Sequence, residues 1–357
     1  MRLGVFLPNW VGDVVMATPA LRSLRILVGD GALVGVMRPY VAEVLAGGAW
    51  FDESIVYAKG RGDATAALRA ARLDAVVLLT NSLRTGWMAY RSGARQRIGT
   101  AANLRSPLLT TRVHGARRNW RGRWRPVPLP TVAGYLQVAQ AAGAPPVAPV
   151  LELATTDADE RAADAVWQRL GWDPLSRVAV LNSGGAFGAA KDWPGEHFAA
   201  LARRLAVDRN LCVLVNCGPK ERDAARAIAA AAAHPRVASL ADEAELPIGL
   251  TKAVVRRAAL LVTTDSGPRF FGVAFGVPTV TLFGPTSTVL TQTFSPHETS
   301  VSLGLECQPC MQRTCPLKHH ACLRDLPVGR VLAAAVAGMN AQPRTAVDGQ
   351  SAATWAA

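Results

Sequence analysis

Four stretches of the chain carry residues whose types and spacing could do chemistry. The first is Asn9-Trp10-Val11-Gly12-Asp13. It follows the short apolar run Leu3–Leu7 and precedes a helical pattern, which puts Asp13 at the start of a helix. An aspartate there serves as an N-cap, or as a carboxylate at the mouth of a cleft acting as a general base. Gly12 suits a tight turn with unusual backbone angles. The second stretch runs from Ser183 and Gly184 through Gly185, Ala186, Phe187 and Gly188 to Lys191. Its glycines let backbone N–H groups approach a phosphate, and Lys191 adds a mobile positive charge. It has neither the ending of a Walker A loop nor a clean dinucleotide fingerprint. The third is Thr263-Thr264-Asp265-Ser266-Gly267-Pro268, which ends a strand and opens a helix. Asp265 or Ser266 either caps that helix or forms an anion site with Asp265 on a sugar hydroxyl. Phe283-Gly284-Pro285-Thr286 ends the next strand and is expected beside it.

The fourth stretch is the cysteine series Cys307-x2-Cys310-x4-Cys315-x6-Cys322, with His319 and His320 inside it. Four thiols this close could hold a structural zinc ion or an iron–sulfur centre; two disulfides or free thiols are the other readings. The spacing is not that of a standard zinc ribbon. Cys212 and Cys217, in or just after an apolar run, read as small buried hydrophobes.

These loops need a frame, and the pattern around them supplies one. Short β-rich runs alternate with helical stretches, which argues for parallel sheets covered by helices, an α/β class. Expected strands are Leu3–Leu7, Ala32–Met37, Ala75–Thr80, Val178–Asn182, Leu211–Asn216, Leu260–Thr264 and Thr279–Phe283. Expected helices are Val14–Leu27, Tyr40–Ala46, Leu83–Tyr90, Thr131–Ala142, Asp157–Leu170, Glu196–Val207, Arg222–Ala233, Thr251–Ala258 and Pro268–Phe275. The segment from Arg91 to Pro130 reads as loops with short strands, and Ala144–Pro149 as a linker. Two Rossmann-like halves, 1–150 and 151–340, with a frayed tail over 341–357, are the simplest account.

With 357 residues the chain exceeds what one core usually organises, so two domains are expected. Half hydrophobic and 18% charged, it is too apolar for a disordered chain. The formal net charge of +13 points to an anionic partner. No acidic residue occurs between Asp74 and Glu152, whereas eleven arginines lie from Arg84 to Arg125. That stretch is either a solvated face or an electrostatic dock for phosphates. No run resembles a secretory signal or a membrane span, so a cytoplasmic location is expected, with surface contact to a membrane through charge.

Singly, each loop is a weak signal; their combination and order are specific. Asn9-Trp10-Val11-Gly12-Asp13-Val14-Val15-Met16-Ala17 and Phe187-Gly188-Ala189-Ala190-Lys191-Asp192-Trp193-Pro194 resemble motifs of the ADP-heptose:lipopolysaccharide heptosyltransferases, glycosyltransferase family nine. Thr264-Asp265-Ser266-Gly267-Pro268 and Leu282-Phe283-Gly284-Pro285-Thr286 match at the expected separation. Cys315-Pro316-Leu317-Lys318-His319-His320-Ala321-Cys322 resembles a segment of heptosyltransferase II-like members. The resemblance covers about residues 1 to 335.

It implies a GT-B fold, two Rossmann-like domains facing across a cleft. The C-terminal domain would bind ADP-heptose and the N-terminal one an anionic, lipid-linked saccharide acceptor at the inner membrane. The reaction it implies inverts the anomeric centre and requires no cofactor or catalytic metal. Asp13 matches the family's general base and Lys191 its diphosphate contact. Ser183, Gly184, Asp265, Ser266, Gly267 and Thr286 fall on the nucleotide-sugar side, and Asn9, Trp10, Gly12 and Arg84 on the acceptor side. Phe270 departs from the pattern, because family members commonly carry histidine there. A phenylalanine cannot donate to phosphate, so donor affinity and donor identity both turn on this position, with Arg269 as the candidate replacement. The other readings are a transferase or sugar-nucleotide epimerase with a different donor, a nucleotide-sugar binder without turnover, and a basic nucleic-acid-binding protein. The last is disfavoured, since arginines and cysteines fall in different halves and no nucleic-acid motif appears.

Overall fold

The computed structural model describes residues 1–58, 64–115, 117–120, 123–185 and 188–341; for 117–120 and 123–126 it describes the backbone alone. The chain divides into two compact units. Met1–Ala154 with Val289–Phe294 form the first, and Thr155–Thr288 with the chain from Ser295 form the second. Val289–Phe294 returns to the first unit, where Leu290 accepts from the Thr131 amide and hydroxyl at 3.0 and 2.9 Å.

The first unit carries strands β1 (Arg2–Phe6), β2 (Ala32–Met37), β3 (Glu53–Val56), β4 (Ala75–Leu78), β5 (Gln96–Thr100) and β6 (Thr111–Val113). All pair in parallel, in the order β3-β2-β1-β4-β5-β6. Between them run helices α1 (Val11–Met16), α2 (Thr18–Val28), α3 (Pro39–Leu45), α4 (Thr65–Ala70), α5 (Leu83–Arg91) and, after the sheet, α6 (Thr131–Ala141). Strands β7 (Arg117–Trp120) and β8 (Arg123–Pro126) form a separate antiparallel pair. The central strands are buried on both faces, which is why Ala32–Met37 reads as an unbroken apolar run.

The second unit repeats the plan. Strands β9 (Val178–Asn182), β10 (Cys212–Asn216), β11 (Val237–Ser239), β12 (Leu260–Thr264), β13 (Thr279–Leu282) and β14 (Glu298–Val301) pair in the order β11-β10-β9-β12-β13-β14. Its helices are α7 (Asp157–Arg169), α8 (Gly195–Arg209), α9 (Arg222–Ala232), α10 (Ile248–Arg257), α11 (Gly267–Ala274), α12 (Ala321–Arg324) and α13 (Val328–Asn340). A capping box of Thr156 and Asp159 starts α7. Both sheets thus have the strand order of a Rossmann fold, and in each the order reverses beside the first strand. Loops leaving β1 and β4 in one unit, and β9 and β12 in the other, flank that crevice.

Several expectations need correction. The single helix expected over Val14–Leu27 is two, α1 and α2, because Pro19 in the first turn of α2 cannot donate to the preceding turn. Ala144–Pro149 is no free linker: the Pro145 carbonyl accepts from Ser23, and Arg22 bonds the Ala148 carbonyl and pairs with Glu152. Edge strands β3, β11 and β14 and helix α13 were not anticipated. The tail after 341 lies outside the described residues. Among the described residues no helix is long and apolar enough to cross a membrane.

Candidate functional site

In the second unit, the loop after β9 and the turn after β12 come together at the switch point. Lys191 closes a short 3-10 turn, Ala189–Lys191, and its ammonium donates to the Asp265 carboxylate at 3.1 Å and to the Asp265 carbonyl. Burial lowers the Lys191 amine below its ordinary value, and the Asp265 charge opposes this. On its other side Asp265 accepts from Arg269 Nη1 at 2.7 Å. Arg269 in turn donates through Nε and Nη2 to the two Glu298 oxygens at 2.5 and 3.1 Å, and the Thr281 hydroxyl donates to Glu298 at 2.5 Å. Burial alone would raise the Asp265 carboxyl, but Arg269 and Lys191 hold it below the usual range. The Thr286 hydroxyl, buried and without a partner of good hydrogen-bond geometry, lies beside the same carboxylate.

Neither Asp265 nor Ser266 caps α11 with its side chain. Ser266 is the N-cap residue, but its hydroxyl makes no cap bond; it accepts from Asn182 Nδ2 at 3.0 Å. Asn182 also bonds the Gly184 carbonyl at 3.1 Å and Thr263 at 3.2 Å, and accepts from Asn216 at 2.8 Å. This buried pair of asparagines ties the ends of β9, β10 and β12 beneath the loops. Gly267, the first residue of α11, leaves its N–H facing the crevice end of the helix, where partial positive charge favours an anion. Of the loop itself, Ala186 and Phe187 lie outside the described residues. Ser183 and Gly184 are half-buried, and a Cβ on Gly184 would stand 2.1–2.3 Å from the Glu221 carboxylate. Glu221 lies beyond the carboxyl end of β10, where its carboxylate accepts from the Gly218 amide at 2.8 Å. Gly188 takes φ +133°, and a Cβ there would meet the Arg313 carbonyl at 2.8 Å.

The expectation that Arg269 replaces the missing histidine on phosphate is overturned. Arg269 is 1% exposed and held between two carboxylates, and its guanidinium also stacks on the Phe270 ring at 4.9 Å. Both side chains belong to the core. No signal in the residue spacing points to Glu298, Asn182 or Asn216, since their side-chain partners lie 17 to 84 residues away.

In the first unit, Asn9 and Trp10 follow β1 and are exposed, while Asp13 is the third residue of α1. Trp10 is the N-cap residue, and no side chain caps this helix. Asp13 therefore does not occupy the capping position its spacing suggested, and its carboxylate sits in the first turn, where the helix field favours the anion. Gly12 is helical and needs no special backbone angle. Tyr135 of α6 faces Asp13; burial raises its phenol well above its ordinary value and the Asp13 charge adds to this. Around the same strand ends, Arg38 lies 4.6 Å over the Tyr57 ring, and the Tyr40 phenol donates to the Asn9 carbonyl. Arg38 Nη1 is buried and meets no hydrogen-bond acceptor among the described residues. Arg84 is exposed and close enough to Tyr57 to oppose the burial that raises its phenol.

The arginine stretch is not one basic face. Arg84, Arg91 and Arg95 are exposed, but Arg105 is wholly buried and donates to the carbonyls of Thr80 and Thr100 and to Asn81 Oδ1. Burial pushes it down to about 10, so it remains charged. The side chains of 117–120 and 123–125, and residue 121, are outside the description.

All six cysteines are free thiols, with Cys212, Cys217 and Cys322 buried. Cys307, Cys310, Cys315 and Cys322 line one pocket with His319. The backbone amides of His320, Leu317, His319 and Lys318 hold the Cys315 thiol below its ordinary value.

The family model "Glycosyltransferase family 9 (heptosyltransferase)" matches residues 62–321. Lipopolysaccharide heptosyltransferase 2 of Escherichia coli is 26% identical over 351 residues, 93% of this chain and 97% of that protein. Lipooligosaccharide heptosyltransferase 2 of Campylobacter jejuni is 32% identical over 162 residues, 44% of this chain. That match spans about half, 49%, of the Campylobacter protein. The solved structure of E. coli ADP-heptose lps heptosyltransferase II superposes with a TM-score of 0.76 at 22% identity, covering 96% of this chain and 99% of that one. Two parallel Rossmann-ordered sheets, with loops at their switch points that carry the expected Asp, Lys and Asp-Ser-Gly, agree with that match: the chain belongs to glycosyltransferase family 9, the heptosyltransferases.

Proposed function

We propose that this chain transfers heptose from ADP-heptose to a lipopolysaccharide inner-core acceptor, with inversion at the anomeric carbon. The observation that carries this reading is the Lys191–Asp265 pair at the switch point of the second unit, beside the N-terminus of α11. A cation and helix N–H groups suit a diphosphate, and a carboxylate suits sugar hydroxyls. The names of the relatives supply the sugar and the acceptor.

In the proposed reaction an acceptor hydroxyl attacks the anomeric carbon of the donor. The new glycosidic C–O bond forms as the bond to the diphosphate oxygen breaks. Asp13 takes the hydroxyl proton, and the electron pair leaves with ADP. Lys191 and the N-terminus of α11 stabilise the negative charge that develops on the leaving group. Glu221 accepts from the donor ribose. Asn9, Trp10 and Arg84 bind the acceptor, whose phosphates also meet the unpartnered Nη1 of Arg38. The enzyme works at the cytoplasmic face of the inner membrane, with Arg84, Arg91 and Arg95 directed at anionic lipid or acceptor.

Calorimetric titration with ADP, UDP and GDP tests the donor. Preferential ADP binding that weakens at least tenfold in Lys191→Ala is expected. Preference for UDP or GDP, or no nucleotide binding, would remove heptose transfer as the function. With ADP-heptose and acceptor, Asp13→Asn should lower kcat by about 10²–10⁴ while ADP binding is retained. Charge reversal of Arg84 and Arg91 should raise the acceptor KM and leave ADP affinity alone; equal loss of both would overturn the acceptor assignment.

A further inference from the structure

The cysteine loop has chemistry that sugar transfer does not use. Cys307, Cys310, Cys315 and Cys322 stand within sixteen residues of sequence and line a single pocket. The turn after Cys315 is wound tightly: Lys318 and His320 both take left-handed backbone angles, with φ of 58° and 50°. That winding turns the chain back beside Cys315, where the Lys318 amide donates to the Cys315 carbonyl at 3.2 Å. Cys322 is buried at the start of α12, and Gly284 makes room for it; a Cβ there would lie 3.3 Å from the Cys322 sulfur. His319 is committed elsewhere, because its Nδ1 accepts from the Ala321 amide at 2.9 Å. The donors the pocket offers are therefore four soft sulfurs, a set that selects zinc or iron in tetrahedral geometry.

The same loop holds both donor loops. The Ala190 amide, next to Lys191, donates to the Arg313 carbonyl at 3.2 Å. The Met311 amide donates to the Pro285 carbonyl at 2.8 Å, next to Thr286. Gln308 Nε2 donates to the carbonyls of Phe283 and Gly284 at 3.2 and 2.7 Å. Ala190 and Pro285 also wall the cysteine pocket.

We infer that Cys307, Cys310, Cys315 and Cys322 form a structural site for one divalent metal ion of the zinc class, which fixes the loops carrying Lys191 and Thr286. Among the described residues no three His, Cys, Asp or Glu side chains already stand in ligating geometry. Binding therefore draws the four thiols inward by side-chain rotation and orders the loop around the ion, as metal-linked folding does elsewhere. The effect on nucleotide rests on the donor reading above; the metal site does not.

The test is metal analysis of the full chain purified under reducing conditions, followed by cobalt substitution. About one zinc or iron ion per chain without inorganic sulfide is expected, with the cobalt form showing the thiolate charge-transfer and visible bands of tetrahedral coordination. Cys310→Ser and Cys315→Ser should lose metal in parallel with those bands, whereas Cys212→Ser, outside the loop, should keep both. Cys322→Ser is the less informative variant because its sulfur is buried, and thermal melting screens every variant for folding. Metal removal should weaken ADP binding about tenfold, restored by zinc. No metal with no cobalt–thiolate bands, disulfides among the four cysteines, or iron with stoichiometric sulfide would each overturn the site. Metal present in a protein that binds no ADP would leave the site standing and remove the donor reading instead.

Discussion

Replacing Arg269 with methionine separates two roles for the residue that follows Pro268. In the structure Arg269 neutralises two buried carboxylates, Asp265 and Glu298, whose side chains are 4% and 5% exposed. Asp265 keeps Lys191 when the guanidinium is lost, and Glu298 keeps the neutral hydroxyl contact from Thr281. Removing one member of a buried pair typically costs about 3–5 kcal/mol. A stranded carboxylate escapes by taking up a proton, which for an ordinary carboxyl at pH 7 costs about 3–4 kcal/mol and so caps the penalty. For a unit of this size that is a fall in Tm of roughly 6–16 °C. Arg269→Met with Glu298→Leu should regain at least half of the loss, because removing both partners of a buried pair is close to neutral. The assay is calorimetric melting of wild type, the single variants and the double variant, with ADP titrated into each. A single variant that melts within about 2 °C of wild type would refute the reasoning. So would Arg269→Lys losing ADP affinity at unchanged Tm, which would return Arg269 to the phosphate.

Three more outcomes follow from the geometry. Glu160 joins α7 to α10 through Arg256 and Arg257; burial would raise its carboxyl, but Arg256, Thr155 and Arg257 bring it down to about 2. Its stabilisation is present above the ordinary carboxylate value and disappears as pH falls through about 2. Glu160→Gln should therefore cost about 1–2 kcal/mol at pH 7, a figure reduced for solvent screening, and progressively less below about pH 4, read by urea unfolding. Arg105→Met strands the carbonyls of Thr80 and Thr100 and should destabilise the first unit by about 3 kcal/mol; a loss under 1 kcal/mol in the same assay would show those carbonyls are satisfied elsewhere. Glu221→Gln should weaken ADP binding about tenfold and leave binding of inorganic diphosphate unchanged, because it removes a charged acceptor for ribose only; equal weakening of both ligands would place Glu221 on the phosphates.

How much of this was legible in the sequence depended on whether a residue's partner lay near it in the chain. Buried parallel strands announce themselves as apolar runs, so Ala32–Met37, Val178–Asn182 and Leu260–Thr264 were read with the bounds they have. The four-residue edge strands Glu53–Val56 and Glu298–Val301 carry charged and polar side chains and no apolar run, and they were missed. The break between α1 and α2 is marked by Pro19, but the apolar spacing of Val14, Ala17, Leu21 and Leu24 continues across it and predicts a single helix. Asp13 and Asp265 stand out in the sequence because each lies where a strand gives way to a helix, and Lys191 because it closes a glycine-rich loop; these are local signatures. Their wiring was not found. Arg269 is a candidate phosphate ligand in the sequence only because it neighbours Phe270, where the family commonly has histidine, yet Glu298, 29 residues on, decides where its guanidinium goes.

The same distinction explains why the cysteine loop looked like an independent module in the sequence. Its thiols share one short segment, so their spacing is plain, but the amides that connect it to Ala190 and Pro285 join it to loops 26 and 123 residues away in the chain. Gly188 and Gly284 now have a second meaning. Each makes room for this loop, Gly188 for the Arg313 carbonyl and Gly284 for Cys322 and Leu323. Gly284→Ala should then act through the cysteines: a Cβ 2.7 Å from Leu323 and 3.3 Å from the Cys322 sulfur pushes α12 away from β13. Loss of metal together with ADP affinity in that variant is the expected pattern, measured by metal analysis and calorimetry on one preparation. If ADP affinity fell while metal content stayed whole, the glycine would serve the nucleotide directly and the cysteine loop would not be what holds Thr286 in place.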